Sequence, residues 1–330
     1  MPPAPCFRLS TRRGPSASRT PNNPRSTHPE LEADIVHHSH IARVLLWMTG
    51  ALLSFTTMAL SVRSLSKVLS IFEILTLRSC FGVVFLLCVV LVRPSLRPQL
   101  ATRRVGLNVV RNATHFISQY AWATSLTLLP LATVFSLEFT MPFWATLLAV
   151  VILNERLTSG RIVAVVLGLI GVLVILRPGI ATFHPASLLI LGAAFGYAVF
   201  NILTKKISET DSVFSIVFWM NAMQAPIGLA GSDWAAFLKL GYAELPAAFG
   251  FCIAGMSAHF CLTNAYRWGD AMLVLPIDFL RVPLIAVIGW WFFGETIDIF
   301  VFLGAAIMLA GILWNLRTEA KKAQPIVEDP

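Results

Sequence analysis

The sequence predicts an all-α polytopic membrane protein of ten transmembrane helices, built as an inverted repeat of five plus five. Three observations lead there. Of the 330 residues, 56% are hydrophobic and only 13% charged, whereas a soluble domain has roughly 25% charged residues. That leaves too little polar surface to cover a globule in water. Windows of about 20 apolar residues, each able to cross about 30 Å of hydrocarbon as a helix, recur from Ile41 onward. The stretch 128–157 returns 140 residues later as 271–297.

That repeated stretch organises the rest. Its first copy, LLPLATVFSLEFTMPFWATLLAVVILNERL, carries Glu138 and Pro142 inside an apolar span and Glu155 at its end. In the second, AMLVLPIDFLRVPLIAVIGWWFFGETI, Asp278 falls on Glu138, Phe279 on Phe139 and Glu295 on Glu155, while Pro283 misses Pro142 by one residue. An acid and a backbone break inside a membrane helix, present twice, point to a transport site between two related halves.

Residues 1–40 are rich in Pro, Ser and Arg and contain no apolar run. They read as a disordered basic tail, not a secretory signal peptide. His37, His38 and His40 have no second ligand group beside them and belong to that tail. The first repeat, 41–176, holds spans near 41–61, 71–92, 105–128, 131–153 and 160–176. A linker at 177–185, RPGIATFHP, is marked as a loop by its Pro and Gly. The second repeat, 186–316, holds spans near 186–205, 212–230, 246–266, 271–293 and 297–316. Residues 317–330 form a cytoplasmic tail. Ala164 and Gly171 fall on Gly304 and Gly311, and Gln119 on His259. Gly50–Ala51 fall on Gly192–Ala193 at a slightly different offset. Each half has an odd number of spans, so the second enters the membrane the opposite way round.

Loop charge orients the chain. With both termini inside, thirteen Lys and Arg beyond the N-terminal tail lie on cytoplasmic loops, against four (Arg63, Lys67, Arg177, Lys239) on the other face. The positive-inside rule then gives N and C termini in the cytoplasm of an inner (plasma) membrane protein. The net charge of +8 serves this purpose, and no nucleic-acid partner is expected. Five cysteines without paired spacing predict neither a disulfide framework nor a metal site. No cofactor is expected, and no GxxxxGK[ST] loop is present to bind ATP.

Ionisable residues at bilayer depth cost roughly 2.5–3.5 kcal/mol each, so they face partners or a wet cavity. Arg78, Arg111, Glu138, Asp278 and Arg281 are of this kind. In the third span Asn108, Arg111, His115 and Gln119 line one helical face. Tyr197, Asn201 and Lys205 do so in the sixth, and His259, Thr263 and Tyr266 in the eighth. Asn221 and Gln224 mark the seventh. The expected substrate site uses Glu138 and Asp278 as cation ligands or proton acceptors and Arg111 and Arg281 as carboxylate ligands. Gln119, His259, Arg78, Asn201 and Tyr197 stand on the same pathway.

A scaffold reading stays open beside it. Asp278 and Arg281, three apart, can form an ion pair that fastens helices. Glu138 can neutralise Arg111 or Arg78, and His115 and His259 can be satisfied buried imidazoles. Glu155 and Glu295 are expected to cap the next helix or bind loop amides. The fifth and tenth spans, with small residues and no inner charge, belong at the periphery. Pro142, Pro226, Pro276 and Pro283 loosen the backbone where helices pack or water enters.

LNERL (153–157) and FGETI (293–297), each followed by a Gly-rich last span, resemble EamA-type carriers of the drug/metabolite transporter superfamily. The resemblance covers 41–316. FEILTLRS (72–79) and NVVRNATHFISQYAWATSLTLLPLATV (108–134) are similar to members that carry S-adenosylmethionine, and less closely to riboflavin carriers. It implies ten helices around a central cavity lined by spans 1–4 and 6–9, working by alternating access. The chain is then a secondary transporter, not an enzyme, for a small polar metabolite such as S-adenosylmethionine, an amino acid or a vitamin. Its partners are that small molecule and the lipid bilayer, with a homodimer left open. The alternatives are an amino-acid or drug efflux carrier of the same family and a membrane-embedded enzyme on lipid-linked substrates. Against the enzyme stand short loops lacking any His/Asp/Ser or metal constellation.

Overall fold

The computed structural model describes residues 29–153, 158–177, 184–268 and 271–323. The chain divides into a unit of Met1–Ser39 and one of His40–Pro330. In the first, residues 29–39 are helical, which corrects the expectation of disorder up to residue 40. The local sequence PELEAD explains it, with a proline at the first helical position and acids in the first turn.

All described secondary structure is helical. The helices are α1 (Pro29–Leu65), α2 (Ile71–Val92), α3 (Val105–Leu128), α4 (Leu131–Glu138), α5 (Met141–Leu153) and α6 (Ser159–Leu176). The second half supplies α7 (Ser187–Ser208), α8 (Val213–Gly231), α9 (Leu245–Trp268), α10 (Ala271–Phe279), α11 (Arg281–Phe293) and α12 (Ile299–Ala323). Among the described residues, nine spans meet the length and hydropathy of a membrane crossing. The tenth, α3, has 24 residues but falls short in hydropathy because Asn108, Arg111, Asn112, His115 and Gln119 occupy its buried face. Helix α12 runs to Ala323, into the expected C-terminal tail.

The fourth and ninth spans are each broken in two, at Phe139–Thr140 between α4 and α5 and at Leu280 between α10 and α11. Pro142 and Pro283 lie in the first turn after the break, where a missing N–H costs no helical bond. Pro226 and Pro276 stay inside helices. Short 3₁₀ segments, Pro94–Leu100 and Trp234–Lys239, begin 140 residues apart, at matching places in the two halves.

The two-fold relation extends to packing. The second span packs on the seventh, the fourth on the ninth and the fifth on the tenth, each on its own counterpart. Phe139 and Phe279, equivalent in the repeat, stack with ring centroids 4.0 Å apart, marking the axis. Helices α6 and α12 approach backbone to backbone. A Cβ on Gly171 would lie 2.7 Å from the Gly304 carbonyl oxygen, and one on Gly304 2.6 Å from that of Gly171. At the related position a Cβ on Gly311 would lie 3.2 Å from the Ala164 carbonyl oxygen. Small residues allow this approach where lipid offers no hydrophobic drive. Of the described cysteines none is in a disulfide; Cys252 is buried and Cys88 exposed.

One end of the bundle is clasped. Gly294 takes φ 65°, closing α11 in the left-handed region that favours glycine, and turns the chain so that Glu295 points back into the bundle. Glu295 does not cap the helix that follows it. It accepts from the Leu131 N–H at 2.8 Å, at the start of α4 in the other half, and pairs with Arg63 at the end of α1. Arg63 also donates to the carbonyls of Leu126 (2.7 Å) and Leu129. Nearby Arg177, ending α6, pairs with Asp298, before α12. Glu155, the counterpart of Glu295, lies outside the described residues. At the opposite end Asp211 ties the α7–α8 turn to the segment before α3. Burial pushes its carboxyl up, but hydrogen bonds from Thr102, the Arg103 N–H, Thr210 and Asn108 outweigh this and hold it below the usual range.

Candidate functional site

A cavity of about 230 Å³ lies at the level of the two helix breaks. Its wall comes from α1, α3, α4–α5, α7, α9 and α10–α11, that is from spans 1, 3, 4, 6, 8 and 9. Spans 2 and 7, expected to contribute, do not. They pack on each other, and their polar groups meet α3 from behind.

The breaks bring the two repeated acids toward one cation. Arg281, first residue of α11, donates through Nη2 to Asp278 Oδ2 at 2.7 Å, and its Nη1 stands 3.7 Å from Glu138 Oε1. The repeat equivalent of Arg281 is Met141, so one guanidinium faces two carboxyl groups. The guanidinium carbon lies 4.2 Å from the ring centre of Phe55 and 4.9 Å from that of Phe139, an aromatic collar that favours a cation by its π faces. Trp122 donates its indole N–H to Glu138 Oε2 at 2.7 Å. Three atoms of the group, Arg281 Nε, Arg281 Nη1 and Asp278 Oδ1, are buried without a hydrogen-bond partner. Such an unsatisfied polar cluster is costly and needs a reason to persist.

Glu138, Asp278, Arg281, Gln119, His259, Tyr197 and Asn201 all line this cavity. Arg78 and Arg111 do not. Arg78 gives Nη2 to Gln119 Oε1 (2.7 Å) and Gln224 Oε1 (2.9 Å). Arg111 lies across α3, α7 and α8, donating to Thr204 (2.7 Å), Asn112 (3.0 Å) and the Ile216 carbonyl (3.4 Å), with its guanidinium over Phe200. Neither meets a carboxylate among the described residues. The guanidinium nearest Glu138 is therefore that of Arg281, not that of Arg111 or Arg78. His115 Nδ1 accepts from Gln224 Nε2 at 2.8 Å, and His115 also lines the cavity. His259 sits edge-on to Phe55 and faces the cavity.

Trp122 and Phe55 also line the cavity beside the acids and Arg281, and no sequence expectation included them. Trp122 follows Gln119 by three residues on the same face of α3, so extending that stripe by one turn would have found it. Phe55 carries no such signal, since an aromatic in an apolar helix looks like any core residue.

The EamA-like transporter family model matches residues 42–177 and again 184–317. A riboflavin transporter of Vibrio cholerae is 29% identical over 86% of this chain and 96% of its own length. An S-adenosylmethionine uptake transporter of Rickettsia felis is 27% identical over 83% of this chain and 92% of its own. A solved crystal structure matches 86% of this chain and 99% of its own with a TM-score of 0.56 at 17% identity, a likeness of fold.

Proposed function

Since the chain belongs to the EamA-like transporter family, with a copy of the family unit in each half, we propose that it is a secondary transporter of the inner membrane working by alternating access. It is a multi-pass carrier of a small metabolite. In this reading both termini face the cytoplasm, and cargo binds at the helix breaks while the two halves rock around it. The observation that carries it is the pair of repeat-related acids, Glu138 and Asp278, sharing Arg281 on the wall of a cavity between the halves.

Two features favour a moving carrier. The cavity, about 230 Å³, is smaller than the roughly 300–1,000 Å³ of a typical small-molecule pocket, so a metabolite enters only if the halves separate. Its wall also reaches Tyr266, close to the end of α9, while the far end is clasped by Arg63 and Glu295. The aromatic wall of Phe55, Trp122, Phe139 and Tyr197 suits a flat ring system beside a polar group. S-adenosylmethionine meets that description; a vitamin with a fused ring, such as riboflavin, is the second candidate.

Uptake of radiolabelled S-adenosylmethionine and riboflavin into proteoliposomes tests the proposal. Glu138→Gln and Asp278→Asn are expected to lose transport by roughly 10²-fold, the scale of removing a charged hydrogen-bonding ligand. Wild-type rates in both variants would place the site elsewhere.

A further inference from the structure

Arg281 sits where the pseudo-two-fold symmetry is broken. Around the axis marked by Phe139 and Phe279, the acids Glu138 and Asp278 are equivalent, but the cation has Met141 as its counterpart. A guanidinium has five N–H donors and has the capacity to bridge both acids, yet it holds them unequally. In this structure it chooses Asp278, at 2.7 Å, and leaves Nη1 unpartnered 3.7 Å from Glu138. The acid it holds closely is the hidden one, with a side chain 7% exposed against 19% for Glu138. Arg281 also follows the break at Leu280, where the helix is interrupted and the side chain can swing.

In an inverted repeat, the opposite-facing state exchanges the conformations of the two halves. The hidden acid becomes Glu138 and the open one Asp278. We infer that Arg281 is an internal counter-ion, not a cargo ligand, and that it passes from Asp278 to Glu138 as the carrier turns over. Each state then presents one unpaired carboxylate to the open side of the cavity, so the site selects cargo bearing a positive charge. The collar of Phe55, Phe135 and Phe139 around the guanidinium keeps a favourable surface for the cation during the exchange. The cargo part rests on the transport reading; the exchange itself does not.

The exchange is tested without cargo. Spin labels at Ser64→Cys and Ile297→Cys, exposed positions beside the Arg63–Glu295 clasp, report opening of that end in the full chain with its native cysteines replaced, reconstituted in lipid. Asp278→Asn removes the partner Arg281 has here and should populate a longer distance. Glu138→Gln removes the alternative partner and should sharpen the short one. In an Arg281→Met background both shifts should vanish. Shifts in the same direction, no shift in either variant, or shifts that persist without Arg281 would each overturn the exchange. If Asp278→Asn does not fold, the Glu138→Gln shift and its dependence on Arg281 decide the matter alone.

Cargo charge is read separately, by uptake with an inside-negative potential. S-adenosylmethionine, a net cation, should be preferred over uncharged riboflavin by roughly tenfold or more, and the loss of transport in Glu138→Gln should fall more heavily on S-adenosylmethionine than on riboflavin. Preference for riboflavin overturns the cation assignment. Movement of neither probe by the wild-type carrier also overturns it and counts against the transport reading, while the spin-label result still stands on its own.

Discussion

Two arginines, Arg63 and Arg281, each bind an acid of the second half, and their surroundings could hardly differ more. Arg63 uses Nε on the Leu126 carbonyl, Nη1 on Glu295 and Nη2 on the Leu129 carbonyl, while the second oxygen of Glu295 takes the Leu131 N–H. Every strong direction is filled. Arg281 has one close bond, two unpartnered nitrogens and a second acid just out of reach. A satisfied charge pair holds elements together; a half-satisfied one at membrane depth keeps capacity for something that comes and goes. In the proposed transport cycle the clasp would serve as scaffold and gate, and the triad as the site.

The comparison breaks first at Glu295. Glu295→Ala strands Arg63 and frees the Leu131 N–H, and should cost about 3 kcal/mol, the low end for breaking a buried pair that retains some exposure. Unfolding of the purified protein in denaturant measures it, and an effect below about 1 kcal/mol would reduce the clasp to an ordinary surface pair.

Gly171→Ala comes next. Its Cβ meets the Gly304 carbonyl, so α6 and α12 must part at a cost of about 1–3 kcal/mol, read as a lowered melting temperature. Transport should survive, because these helices do not line the cavity.

Trp122→Phe sharpens the other side. It removes the donor to Glu138 and keeps the ring, so stability should hold while apparent cargo affinity shifts about tenfold, the weight of one charged hydrogen bond. An unchanged affinity would remove Trp122 from the site. The smallest effect belongs to Asp298→Asn. Its pair with Arg177 is about a quarter to a third exposed, and should change stability by less than about 1 kcal/mol in the same denaturation experiment.

The linear order of residues alone determined the spans, the repeat, and with it the axis on which Phe139 and Phe279 meet. Span length and hydropathy are local quantities, and a 140-residue self-match imposes symmetry whatever the packing. It also determined that Glu138 and Asp278 are equivalent. What only the tertiary structure decided is who meets whom. Arg78, Arg111 and Arg281 look alike in sequence, yet one joins the acids while Arg78 is held by side-chain amides and Arg111 by a hydroxyl, an amide and a carbonyl. Glu295, at the mouth of its own helix, reaches instead to the start of α4. Helical period tells which face a side chain occupies, but not which neighbour that face is turned toward. That is settled by long-range packing of helices, with the glycine contacts of α6 and α12 and the breaks in spans 4 and 9 setting the angles.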